Sequence, residues 1–65
     1  MKSISTKIEE RKAMMVKAFH GKVVKENKKD NEVIIRDKDK TEWLVNLYIP
    51  EKPQFIRISC YNVPI

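Results

Sequence analysis

Residues Glu32 to Val63 alternate apolar and polar side chains through two successive hairpins, and both hairpins agree on one register. That agreement restricts the fold more than any other feature of the chain. Three strands read from the pattern: Glu32 to Asp37, Glu42 to Ile49 and Gln54 to Val63. If Ile35 pairs with Trp43 across the Asp37–Thr41 turn, Val33 faces Val45 on the same side and Arg36 faces Glu42 on the other. If Leu47 pairs with Ile56 across Pro50–Pro53, Val45 faces Ile58 and Trp43 faces Cys60. Side chains alternate with period 2, so a slip of one residue in either hairpin would scramble this match.

The register predicts two surfaces. The inner one holds Val33, Ile35, Trp43, Val45, Leu47, Ile49, Ile56, Ile58 and Cys60, and it needs a cover. The segment Ser3 to His20 supplies one, because Ile4, Ile8, Met15, Ala18 and Phe19 share a stripe on a 100° wheel, with Met14 at its edge. Thr6 followed by Glu9 matches a capping box. Gly21, the only glycine, stands where a helix ends on a residue of positive φ. Arg11 falls inside the apolar stripe and is expected to lay its stem on the core with the guanidinium in water. Lys22 to Glu26 reads as a fourth strand because Val23 and Val24 favour extended chain. A helix running on through Val23 is the alternative. Asn27 to Asn31 is a polar turn, and Pro64 suits a strand end.

At 65 residues the chain is expected to be one domain, with a helix over 1–20 and a β-meander over 22–65. The fold class is α+β: an amphipathic helix on a three- to four-stranded antiparallel sheet, open or curled into a small barrel. A domain this small buries only about 60% of its unfolded surface. Its single cysteine allows no internal disulfide, so self-association is a natural support. No apolar run is long enough to cross a membrane. One thiol without an export signal points to the cytoplasm.

The net charge of +5 is unevenly spread. Residues 1–29 carry nine Lys or Arg against three Glu, and residues 30–65 carry five against six acidic residues. A one-sided basic surface attracts nucleic acid, anionic lipid or an acidic protein. The outer sheet face adds Ile34, Arg36, Leu44, Asn46, Tyr48, Phe55, Arg57, Ser59 and Tyr61, with Tyr48 opposite Phe55. Aromatic rings and guanidinium planes can stack on unpaired bases, and an exposed mixed patch marks a binding site.

Chemistry is sparse. One His and one Cys lie far apart, and DKDK at 37–40 reads as a solvated hairpin turn, lacking the glycine and Glu of a calcium loop. No glycine-rich phosphate loop is present. Neither metal nor cofactor is expected, and the chain is expected not to be an enzyme. The expected function is nucleic-acid binding, to DNA or RNA, through Lys25, Lys28, Lys29, Arg36, Tyr48, Phe55, Arg57 and Tyr61. The alternative is a protein-interaction module, a small inhibitor or adaptor of an acidic partner, which can be homodimeric through the same face.

Overall fold

The computed structural model describes residues 3–63. A helix, α1 (Ile4–Phe19), is followed by four strands: β1 (Lys22–Asn27), β2 (Glu32–Arg36), β3 (Glu42–Asn46) and β4 (Arg57–Asn62). They form one antiparallel sheet in the order β1-β2-β3-β4, which is open: β1 and β4 are its two edges. The chain is thus α+β, and Lys22–Asn27 is strand rather than continued helix. The expectations for residues 1, 2 and Pro64 lie outside the described residues.

The register matches the alternation throughout β2–β3 and, between β3 and β4, from Trp43 to Asn46. Val33 pairs with Val45, Ile35 with Trp43 and Arg36 with Glu42. Val45 pairs with Ile58 and Trp43 with Cys60. Pairing stops at Asn46–Arg57, short of the expected Leu47–Ile56 pair. Residues between turn back on themselves instead, with Lys52 N–H donating to the Ile49 carbonyl and Phe55 N–H to the Lys52 carbonyl. Pro50 and Pro53 have no N–H to contribute to a ladder. Tyr48 and Phe55 consequently do not oppose one another on paired strands.

Ser3, not Thr6, is the N-cap of α1, its hydroxyl accepting from the Thr6 N–H at 3.1 Å. The cap shifts the start of the helix by one turn, so Glu9 and Glu10 lie beyond the first turn. At the other end His20 takes the left-handed conformation (φ 54°), while Gly21 does not. Gly21 N–H donates to the Val16 carbonyl and His20 N–H to that of Lys17, the paired bonds of a Schellman motif. Gly21 is needed for a different reason from the one read in the sequence. A Cβ there would lie 2.0 Å from the Arg36 carbonyl oxygen, so only glycine lets the chain leaving α1 pass the end of β2.

The core is Met15 of α1 with Val33, Ile35, Val45 and Leu47 of the sheet, flanked by Ile8, Val16, Phe19, Val23, Trp43 and Ile56. A helix is about 10–12 Å across, whereas four strands spaced about 4.8 Å apart span roughly 14 Å between their outer axes. One helix cannot cover that width. Its closest packing is on β2, and Lys12 reaches the β1 side through a 3.1 Å ion pair with Glu26. The cost falls on β4, every residue of which is exposed. Ile58 and Cys60 were expected in the core and are not: Ile58 is 44% exposed and Cys60 is open. Ile49 is half-buried. On the helix, Met14, Ala18 and Ile4 stay exposed, and Val16 replaces them at the interface.

Arg11 is bound rather than solvated. Its guanidinium donates to the Leu47 carbonyl at 2.9 Å and the Pro53 carbonyl at 2.6 Å, fastening the β3–β4 connection to the helix. Substituting Gly21→Ala should destabilise the fold by about 2–3 kcal/mol, lowering Tm by roughly 10–20 °C. His20→Gly, which relieves left-handed strain at the adjacent position, should act in the opposite direction by about 1 kcal/mol. Thermal unfolding followed by circular dichroism reads both.

Candidate nucleic-acid interface

The face of the sheet opposite α1 is built from cross-strand rows. One row runs Lys22, Arg36, Glu42, Asn62, the next Lys25, Ile34, Leu44, Ser59, and a third Asn27, Glu32, Asn46, Arg57. These rows hold four cations and two carboxylates. The register of β1, which the sequence leaves open, is what completes them. Lys22 and Lys25 are three apart and would face opposite sides of a regular strand. The register shifts between Val23 and Lys25, leaving Val24 as the extra residue of a bulge. Both lysines therefore lie on the helix-free face, while Glu26 beyond them turns to the helix and meets Lys12.

A second irregularity, between the Glu42–Asn62 and Trp43–Cys60 pairs, makes Tyr61 the extra residue of β4. Tyr61 is 57% exposed and lines a shallow depression of about 220 Å³ with Lys25, Ile34 and Leu44. Ile34 forms its floor and is only 8% exposed, flanked by Lys25 on one side and Leu44 on the other. The aliphatic part of the outer face is thus more closed than its alternation implied.

The remaining expected residues divide among separate places. Lys29 and Tyr48 border one hollow, with Asn46 and Glu32. Phe55 and Arg57 border another, beside Lys52 and Ile56. Lys28 lines a groove of about 320 Å³ between the start of α1 and the β1–β2 turn, on the helix side. Arg36 is held by Glu42 at 2.8 Å, which leaves it less available to a ligand. The structure thus brings Lys25 and Tyr61 together, and Lys29 with Tyr48, but sets Lys28 apart. Lys22 joins the helix-free face opposite Arg36, and Lys52 lies beside Phe55 and Arg57. The bulge that turns Lys22 outward has no clear signature in KVVKEN.

Two ionisable groups are shifted. The hydrogen bonds that the Lys12 ammonium donates to Glu9 and then to Glu26 hold it above its ordinary 10.5. That contribution is fully present at neutral pH and disappears only as pH rises through the raised value. Asp37 is lowered below 3.8, first by the Trp43 indole N–H and then by backbone N–H groups of Thr41 and Asp39. Its Oδ2 accepts from Trp43 Nε1 at 2.8 Å, and its Oδ1 from Asp39 N–H at 2.8 Å and Thr41 N–H at 3.0 Å. DKDK is a turn as expected, but Asp37 is its internal clamp rather than a solvated charge. Among the described residues no cluster of His, Cys, Asp and Glu could hold a metal ion, and no helix is long and apolar enough to cross a membrane.

Comparison with known proteins gives no match to a family model, a curated protein or a solved structure.

The Asp37 clamp has a testable consequence. Because its folded pKa is depressed, its stabilisation is present above the ordinary 3.8 and is lost as pH falls through the folded value. Asp37→Asn should be less stable than the parent at pH 7, and the difference in Tm should close as the pH drops below 3.8.

Proposed function

We propose that this protein binds single-stranded nucleic acid on the helix-free face of its sheet. The observation that carries this reading is the bulge at Val24, which turns Lys22 and Lys25 onto the face that also presents Tyr61 and Arg57. In the sequence, charge and aromatic rings look separated, because most lysines precede the meander. The fold removes much of that separation. A base stacked on Tyr61, over the apolar floor of Ile34 and Leu44, would place its flanking phosphates within the span of Lys25, Lys22 and Arg57. Stacking is indifferent to base identity and lysine contacts to phosphate are indifferent to sequence, so the expected binding is of low sequence preference.

Unpaired strands suit the site better than duplex. Bases must be free to lie flat on a ring, and among the described residues the one helix, α1, packs on the other face of the sheet and is not presented to a groove from this one. A protein-interaction role draws on the exposed Phe55, 60% accessible, and on Tyr61. It would appear as a partner retained after nuclease treatment.

Fluorescence anisotropy with a labelled oligonucleotide tests the proposal. Three phosphate contacts give a log–log salt slope of about −2 on a single strand, and Lys22→Ala/Lys25→Ala should flatten it by about 0.7 per lysine. Tyr61→Ala should weaken binding by about 1–3 kcal/mol, or roughly 5- to 150-fold, without changing the slope. No detectable binding to single-stranded DNA or RNA at low salt would refute the reading.

A further inference from the structure

The rows of the helix-free face set two carboxylates among their cations, Glu42 and Glu32, and only one of them is engaged. Arg36 donates to Glu42 Oε2 at 2.8 Å, and the Asn62 amide donates to its Oε1 at 3.5 Å. The Glu32 carboxylate makes no hydrogen bond or ion pair among the described residues. It stands at the start of β2, two residues before Ile34 and therefore on the same face. Half-buried there, it lines the same depression as Tyr61, Lys25, Ile34 and Leu44.

An unpaired negative charge repels a phosphate, so Glu32 adds nothing to backbone contact. What it offers is acceptance: an ionised carboxylate has two acceptor oxygens side by side and no donor. The ligand edge that suits it presents two adjacent donors. Among the nucleobases only guanine has such a pairing edge, where N1–H and an N2 amino hydrogen point the same way. Adenine and cytosine each set an amino donor beside a ring nitrogen that accepts. Thymine and uracil hold a single N–H between two carbonyls. Every edge but that of guanine therefore turns a lone pair toward one of the carboxylate oxygens. The guanine edge is free only in an unpaired strand, where bases are splayed out and read along their pairing edges.

We propose that Glu32 selects guanine at the nucleotide stacked on Tyr61, accepting N1–H and N2–H in a bidentate, charge-assisted pair. This selectivity rests on the nucleic-acid reading above, and it adds one base-selective position to a surface otherwise indifferent to sequence. Ring and carboxylate divide the work. Tyr61 holds any base by its face, and Glu32 reads the edge. Partial shielding from water strengthens hydrogen bonds to the carboxylate. Lys25 lines the same depression and offsets the Glu32 charge, so the depression as a whole does not repel the strand that carries the base.

Fluorescence anisotropy of the full chain with short thymine strands, each carrying one central guanine, adenine or inosine, tests it. Adenine offers a purine face for stacking as guanine does, and inosine keeps N1–H but lacks the N2 amino group. The parent should bind the guanine strand about 5- to 20-fold tighter than the adenine strand, within the range of a bidentate pair, with inosine between them. Glu32→Gln replaces two acceptors by one acceptor and one donor, which suits adenine better than guanine. The guanine-to-adenine ratio should then fall below about 2. The Glu32 carboxylate holds no other described residue, so Tm of this variant should stay within about 2–4 °C of the parent. Salt-dependent binding with equal affinity for the guanine and adenine strands overturns the proposal and leaves the broader reading standing. A guanine preference that survives Glu32→Gln overturns the role of Glu32. Absence of binding to any strand at low salt overturns both.

Discussion

Everything in this fold depends on how closely the chain passes at Gly21. The helix ends in a left-handed residue, the next residue skirts the Arg36 carbonyl, and β1 starts immediately beside the end of β2. Two aromatic residues secure the same corner. Phe19 in the last turn of α1 stacks on Trp43 with ring centroids 5.6 Å apart and planes 19° from parallel. Trp43 in turn donates its indole N–H to Asp37, which also closes the β2–β3 turn. Helix end, first strand and central hairpin thereby share one set of contacts. Such a contact network couples secondary elements that would each be marginal alone in so short a chain.

The same corner explains why the helix lies where it does. Anchored by Phe19 on Trp43 at one end, α1 runs back along β2, held toward β1 by Lys12–Glu26 and toward the β3–β4 connection by Arg11. An exposed ion pair contributes little to stability. The Arg11 bonds count for more, since they satisfy loop carbonyls that have no strand partner. The arrangement covers the middle of the sheet and leaves β4 bare.

Both edge strands carry the same device. A single extra residue in an edge strand re-aims the side chains beyond it. In β1 the extra Val24 gathers two lysines on one face; in β4 the extra Tyr61 lines the depression over Ile34 and Leu44. Neither edge therefore presents the plain alternation of the two interior strands.

The sequence by itself determined the class of fold, the two hairpins and the register of β2 with β3 and of β3 with β4. Each rests on period-2 alternation, a local property that any paired strand must respect. The pattern also placed Val33, Ile35, Val45 and Leu47 in the core. Tertiary structure alone decided which inner-face residues are covered, because alternation says which way a side chain points and not how wide the helix above it is. Ile58 and Cys60 point inward and remain exposed for that reason. It also decided the role of Gly21, set by a carbonyl fifteen positions away, and the partners of Arg11, whose acceptors lie in a distant loop. The basic face was legible only in part. Lys25 and Tyr61 could be named as residues, but their meeting depends on the bulges at Val24 and Tyr61, which arise from cross-strand pairing and have no local signature.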